Sequence, residues 1–409
     1  MIFLLLNHEG HELRCIVKIE SKKDLLWVKD TFKIGDFVVC SGEIVVGKDG
    51  NNELLVSKVD ILKKNLLSSV ETGLLPDSCF RGKKLKQYYH LMMLTDVDCF
   101  CYLKVRSCIL HVLNQKMIEY GFCNIMTPVL QHNFYAGGSK PFITHMLDNG
   151  SDMYLRITSE IALKLITVGG IEKVFEIGYY FRNCSINEKH CVPFCAMEAY
   201  QTQVSYKQMQ IYAEELLKTI SHNIIDLFKG YGKEVRISFD DIQECTFEEF
   251  VRLCGFDNFD ISDLNTYPDI PELSEKSEDI YMNSRVLYKW LKSTLIKRQI
   301  NPLWISDLPT SASPFIKKKD RYRLYRKYLI ANGATLVEIA QGETDSKIIE
   351  NNLYQQQYYQ KNDYPHDYQA LIHAYRLGVP DIASLFIGID RLYSTFAGED
   401  DINRFKMYI

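Results

Sequence analysis

The sequence has no apolar run approaching the ~18 residues that cross a bilayer, and Met1 to Leu6 is too short, without a basic leader, for a signal peptide. A soluble, cytoplasmic protein is therefore expected. Cys-x-x-Cys pairs are missing, although 12 cysteines are present at scattered positions such as Cys15, Cys40 and Cys245. That favours reduced thiols over a disulfide framework. Cys184, His190, Cys191 and Cys195 come closest to a ligand cluster, but their spacing matches no common zinc pattern, so no metal centre is expected. An excess of one charge is missing too: 48 Lys and Arg against 52 Asp and Glu leave a net charge of −4. This excludes non-specific nucleic-acid binding by the whole surface and leaves only a local patch. No Ser/His/Asp arrangement and no internal repeat is found. With 46% apolar and 12% aromatic residues, the chain is nevertheless a folded one.

A length of 409 residues allows two or three domains. The first 65 or so residues read as short strands: Leu13 to Ile19, Leu25 to Val28, Phe37 to Val46 and Leu54 to Leu62. The turn Gly47-Lys48-Asp49-Gly50-Asn51-Asn52 separates the last two as a hairpin signal. Gly73, Pro76 and Gly82 mark a linker followed by a helix up to Asp96. Beyond it, Val105, Cys108, Ile109, Val112, Leu113 and Met117 recur at helical spacing, and Gly121 to Leu130 reads as a strand closed by Pro128. Strands are expected at Val174 to Tyr180, Ala196 to Val204 and Ile382 to Ile389. Helices are expected at Tyr206 to Phe228 and Asp367 to Leu377, with Tyr354 to Gln360 the exposed part of another. Strands and helices come in blocks, which favours an α+β fold over a doubly wound one.

The most informative stretch is Leu155-Arg156-Ile157-Thr158-Ser159-Glu160 through Phe175-Glu176-Ile177-Gly178-Tyr179-Tyr180-Phe181-Arg182-Asn183, followed by Met197-Glu198-Ala199-Tyr200. Arg182 leaves one apolar strand and Glu198 returns on the next, so the two are expected to face each other across a hairpin. An arginine there either clamps a carboxylate or phosphate with its planar fork or forms a structural ion pair.

This stretch resembles the approach to the second motif of the class II lysyl-tRNA synthetase family. Three other stretches agree in order: Gly137 to His145, the first-motif-like GFCNIMTPVL, and Ile387-Gly388-Ile389-Asp390-Arg391. Leu75-Pro76-Asp77 with Tyr88 and Tyr89 is similar to the family's linker. The resemblance implies an α+β chain. Residues 1–66 would be a truncated OB-like anticodon-binding-type β-barrel and 67–96 a linker. Residues 97–409 would form a class II synthetase-like catalytic domain, an antiparallel sheet flanked by helices. It also implies a homodimer with Pro128 near the interface. By the same resemblance Arg182 holds the amino-acid carboxylate and the α-phosphate of ATP, and Phe194 and Arg391 sandwich adenine, with Lys189 and His190 in the ATP loop. The catalytic residues would then be Arg182 and Arg391. Glu160, Glu198, Tyr200 and Glu338 join Arg182 in the lysine pocket. Carboxylates around a buried ammonium are chemically sensible, because an unpaired ammonium is costly to desolvate.

Departures from the family pattern are equally specific. Its Phe-Arg-x-Glu is here Phe181-Arg182-Asn183-Cys184, and its loop arginine is Lys189. The two acids that hold Mg2+ on ATP fall at Arg323 and at or beside Ala331. An asparagine and an aromatic become Ala334 and Leu336, and two third-motif glycines become Ser384 and Phe386. ATP and Mg2+ are thus implied by the family, while the residues present speak against the metal. The expected function is a ligase that activates lysine or a close analogue for transfer to tRNA or another acceptor. The alternatives are a non-adenylating lysine- or tRNA-binding regulatory or partner protein, and an enzyme of specialised biosynthesis reusing the pocket.

Overall fold

In the computed structural model, residues 2–33, 35–64, 89, 93, 96–133, 139–269, 280–310, 313–360, 368–404 and 406 are described. The expected linker lies almost wholly outside the described residues, as do Gly137 and Asp367. The chain forms two compact units. One is Met1–Lys104 with Gly230–Gly232 and Phe405–Ile409, the other Val105–Lys229 with Lys233–Arg404.

The first unit contains β1 (Ile2–His8), β2 (His11–Val17), α1 (Lys22–Thr31), β3 (Phe37–Val46) and β4 (Asn52–Lys63). The strands form one sheet in the order β1-β2-β4-β3. β2 and β4 run parallel, and the other pairs are antiparallel. This arrangement is consistent with an OB-like module. The expected hairpin joins β3 to β4, with Gly50 at a φ of 81° that favours glycine. Leu25 to Val28, read from sequence as a strand, lies instead in α1. The Ser21 hydroxyl accepts from the Asp24 N–H while the Asp24 carboxylate accepts from the Ser21 N–H, and this capping box starts a helix.

In the second unit, the part of α2 (Val97–Glu119) from Val105 onward buries Val105, Ile109, Val112, Leu113 and Met117 as its spacing predicts. The strand expected from Gly121 to Leu130 is broken into β5 (Cys123–Asn124) and β6 (Leu130–Gln131). Between them Thr127 turns inward, its hydroxyl donating to Glu176 at 2.7 Å. Then follow β7 (Ile143–His145), β8 (Asp152–Leu155), α3 (Glu160–Val168), β9 (Lys173–Tyr180) and β10 (Phe194–Thr202). Next come α4 (Tyr206–Gly230), β11 (Gln243–Thr246), α5 (Phe247–Leu253) and α6 (Ile280–Trp290). The remaining elements are β12 (Leu303–Ser306), β13 (Arg326–Ala331), β14 (Ala334–Gln341), α7 (Ser346–Gln360), α8 (Gln369–Arg376), β15 (Ile382–Gly388) and α9 (Ile389–Ala397).

An eight-stranded sheet in the order β11-β12-β13-β14-β15-β10-β9-β5 organises this unit. Its interior pairs are antiparallel, and only the outermost pairs at each end are parallel. Alternation along β15 shows how sequence sets the two faces: Ala383, Leu385 and Ile387 are buried, while Ser384 and Phe386 are half-buried on the other side. α4 buries Met209, Ala213, Leu216, Leu217, Ile220, Ile224 and Phe228, an apolar stripe at helical spacing. After α6 the helix loosens into a π-turn over Leu291–Leu295, a form often found at functional sites. Among the described residues no helix is long and apolar enough to cross a membrane.

Candidate active site

Strand register builds the floor of the site. Tyr328, Glu338, Phe386, Glu198 and Glu176 lie side by side on β13, β14, β15, β10 and β9. Paired residues of neighbouring strands share a face, so these five side chains stand on one side of the sheet. The next row on that face is Arg326, Ala340, Ser384, Tyr200 and Val174. Glu198 and Glu338, expected to close on one ammonium, are thus two strands and about 10 Å apart along the row, with the Phe386 ring rooted between them.

Glu198 is buried beside the N-terminus of α3. It accepts from the Thr158 hydroxyl at 2.9 and 3.0 Å, from the Ser159 hydroxyl at 2.9 Å and from the Ser159 N–H at 3.2 Å. Burial, and then the nearby Glu160 carboxylate, push its pKa up to about 7 despite these donors. Tyr200, on the same strand, is buried and its phenol is held well above the ordinary range by burial and by Glu160. Glu160 is already occupied: Lys164, one helical turn on, reaches its carboxylate at 2.7 Å. The Lys164 ammonium lies 4.8 Å from the Phe315 ring centroid and 5.8 Å from that of Tyr200. Desolvation opposes its charge, but Glu160, Tyr375 and Glu198 hold its pKa above the usual value, so the ammonium stays protonated.

Arg182 does not face Glu198 in an ion pair. The hairpin register sets Glu176 opposite Glu198, and Arg182 lies beyond the end of β9. Its guanidinium covers the Phe194 ring at 5.0 Å. Its Nε is buried without a hydrogen-bond partner, and no carboxylate lies against it among the described residues. Arg391 donates to the Thr335 carbonyl at 2.9 Å and the Lys189 carbonyl at 3.2 Å. Burial and the Arg182 charge lower its pKa from the usual arginine value. His190 bonds Asn187 through Nδ1 at 3.0 Å. Desolvation first, then Arg391, Lys292 and Arg182, hold its imidazole below the ordinary histidine range. Lys189 donates to the Asn332 carbonyl at 3.2 Å. Asp390 fixes this loop, accepting from the Cys195 N–H at 2.8 Å and the Cys191 thiol at 3.5 Å while pairing with Arg106 at 2.9 Å.

Glu338 is engaged by Arg326 at 2.5 Å. The Arg326 guanidinium lies over the Tyr288 and Tyr328 rings at 5.5 and 5.0 Å, and the two phenol hydroxyls bond each other. Lys292, on the π-turn, caps the same two rings at 4.5 and 5.3 Å. Burial opposes ionisation of Tyr288, but Arg326 and Lys292 outweigh it and draw its pKa below the phenol range.

These residues do not fit Mg2+, which is usually held through one or two carboxylates together with substrate phosphates. Glu338 is already paired with Arg326, Ala331 is apolar, and Arg323 is turned to Glu248 at 2.7 Å and Asp320 at 3.0 Å. Among the described residues no cluster of three His, Cys, Asp or Glu is suited to a metal, the loop cysteines included. Arg323, at the position of the first family acid, is thus engaged elsewhere, and the cation beside Glu338 is Arg326.

Several participants were missed. Lys164 follows Glu160 at i+4 and was legible as its helical partner. Arg156 carried a weaker signal; it lies on the same side of the sheet, pairing with Glu176 and donating to the Thr127 hydroxyl at 3.0 Å and the Tyr179 carbonyl at 3.0 Å. Tyr288 and Lys292 come from a segment that carries no motif, and only folding brings them to the sheet.

Residues 83–408 match the model of the family described as class II tRNA synthetases (D, K and N). The chain is 30% identical to a lysine–tRNA ligase of Buchnera aphidicola subsp. Schizaphis graminum, covering 88% of this chain and 73% of the relative. It is 25% identical to that of Dehalococcoides mccartyi strain CBDB1, covering 95% and 78%. For that of Methanospirillum hungatei the values are 27%, 93% and 76%. The chain belongs to the class II tRNA synthetase family.

Proposed function

We propose that this class II synthetase-family chain binds lysine or a close basic analogue and activates it with ATP for transfer to an acceptor, either tRNA or another amine- or hydroxyl-bearing molecule. The observation that carries this reading is Arg182: a guanidinium spread over Phe194, its Nε buried and unpartnered, on the same site as Glu198 and Tyr200. A planar fork left without an anion is suited to a substrate carboxylate and a phosphate together. In this reading a carboxylate oxygen of the amino acid attacks the α-phosphorus of ATP and pyrophosphate leaves. Arg182 aligns the two anions and neutralises charge on the oxygens between them. Glu198, ionised on binding, receives a ligand ammonium, and Tyr200 closes the pocket beside it. Phe194 and Arg391 hold the adenine.

Exposed apolar residues around Pro128, with Met126 at 94% and Val129 and Leu130 at 42% and 40% exposure, support a homodimer through this segment. The test of the activity is AMP release from ATP with each amino acid in turn, with and without tRNA. Lysine-dependent release is expected, and none at high protein concentration would refute the ligase reading.

A second reading is favoured by Phe386 and the Arg326–Glu338 pair, which fill the floor where the family has glycine and a metal. It is a non-adenylating protein that binds a basic amino acid and acts as a sensor or partner. Calorimetry showing lysine binding without ATP binding would select it.

A further inference from the structure

We infer that the wall formed by Arg182, Lys292, Arg326 and Arg391 is a polyphosphate subsite that works without a divalent metal. The inference rests on the reading that a nucleoside triphosphate enters this site, and it deepens that reading by naming what takes over the neutralisation of the phosphate chain.

Two observations lead to it. The first is the misfit to Mg2+. The only carboxylate on β13 or β14 that faces the site is Glu338, and it is held by Arg326. The second is the number of cations left over. Arg182, Lys292 and Arg391 make no ion pair with a carboxylate among the described residues, and Arg182 and Lys292 both act on His190 together with Arg391. Three cations without an ion-paired carboxylate thus join Arg326 around this part of the site, and burial together with Arg391, Lys292 and Arg182 drives His190 toward its neutral form. Like charges gathered in a partly buried site repel one another, and a bound polyanion relieves that repulsion. The division of chemistry is also suitable. Arg182 offers a planar fork and Arg391, held by the Thr335 and Lys189 carbonyls, a fixed charge, while Lys292 offers a compact, exposed charge from the π-turn. The Tyr288 ring, with Arg326 at 5.5 Å and Lys292 at 4.5 Å from its centroid, holds the two cations close together.

The ligand class is a linear polyphosphate: the triphosphate of ATP, or pyrophosphate or tripolyphosphate alone. The experiment uses tripolyphosphate and ATP as separate probes, each titrated calorimetrically into the full chain, once with EDTA and once with excess Mg2+. Lys292→Ala and Lys292→Arg are run alongside; Lys292 is exposed, so the variants keep the fold. Tripolyphosphate is expected to bind equally, within about threefold, with and without metal. Lys292→Ala should weaken it about tenfold or more, and Lys292→Arg should restore most of the loss. Binding that requires Mg2+, or no binding under either condition, or full affinity in Lys292→Ala, overturns the inference. If tripolyphosphate binds in EDTA but lysine and ATP yield no AMP, the ligase reading fails and the subsite stands. If AMP is released and ATP binds only with Mg2+, the ligase reading stands and the subsite falls.

Discussion

Replacing Glu198 with glutamine removes one titrating group from the centre of the site while leaving an oxygen for Thr158 and Ser159 to donate to. In the folded chain the Glu198 carboxyl is pushed up to about 7 from its ordinary value of 4.5, first by burial and then by Glu160. A raised folded-state pKa means that the native protein holds this proton more tightly than the unfolded chain does. The stabilisation is complete below the unfolded value and is lost as pH rises through the folded one. A shift from 4.5 to about 7, at 1.36 kcal/mol per unit, corresponds to about 3 kcal/mol, and full burial leaves solvent little room to screen it. Urea unfolding of the wild type and Glu198→Gln, followed at pH 4.5, 5.5, 6.5 and 8, isolates this effect because every other group titrates in both proteins. The stability of the wild type relative to the variant should fall by about 3 kcal/mol between the two ends of that range. A ligand ammonium seated on Glu198 requires the ionised form. Lysine binding near pH 7 should therefore release about half a proton, seen as a dependence of the calorimetric enthalpy on the buffer. Parallel pH profiles for the two proteins would refute the assignment of Glu198 as the perturbed carboxyl of the site.

Three further outcomes are expected. In Gly178→Ala a methyl group would meet Nη2 of Arg156 at 2.1 Å, and that guanidinium is fixed by Thr127, Glu176 and Tyr179. A loss of about 2–4 kcal/mol in a thermal or urea melt should follow, and wild-type stability would show that Arg156 can leave its site. Phe386→Ala opens the space between Glu198 and Glu338; lysine affinity should rise about tenfold by calorimetry, whereas a fall would make the ring a platform for the ligand. Lys164→Met keeps the volume but strips Glu160 of its ammonium. It should lower stability by about 1–3 kcal/mol and move the Glu198 midpoint further up, and an unmoved midpoint would disconnect the two carboxylates.

The sequence made the framework legible where periodicity was strong. β9, β10, β15 and α4 stand within two residues of where the sequence puts them; α4 buries one apolar stripe, and β10 is an apolar run buried on both faces. It misled at Leu25 to Val28, where a short apolar run has no decisive period and the Ser21–Asp24 box set the outcome. It misled again at Gly121 to Leu130, because the buried need of Glu176 for the Thr127 hydroxyl broke the strand. The resemblance led to Arg182, Glu198 and Tyr200 but not to their partners. Whether Glu160 is available depends on Lys164, and whether Glu338 is available depends on Arg326. Those are facts of side-chain packing that a motif does not carry. Lys292 and Tyr288 reach the site only by tertiary contact.

The distribution of partners among these groups implies an order of binding. Three carboxylates on or beside the floor, Glu160, Glu176 and Glu338, already have their own cations in Lys164, Arg156 and Arg326. The fourth, Glu198, has none and is half protonated near pH 7. Against this, Arg182, Arg391 and Lys292 make no ion pair with a carboxylate among the described residues, although Asp390 acts on Arg391 and Arg182 on Glu198. These groups therefore carry an excess of positive charge, and the cationic amino acid of the proposed function would approach against that potential. An anion that settles on the three unpaired cations removes this repulsion and makes the second, cationic ligand easier to admit. Since coupling free energies between two ligands are reciprocal, lysine should then tighten the polyanion by the same factor. Affinity for lysine measured with and without saturating tripolyphosphate, and the reverse titration, must give equal factors greater than one if the charges act as arranged. Equal affinities in both pairs would mean that the cations are screened from the pocket, and that the two halves of the site work independently.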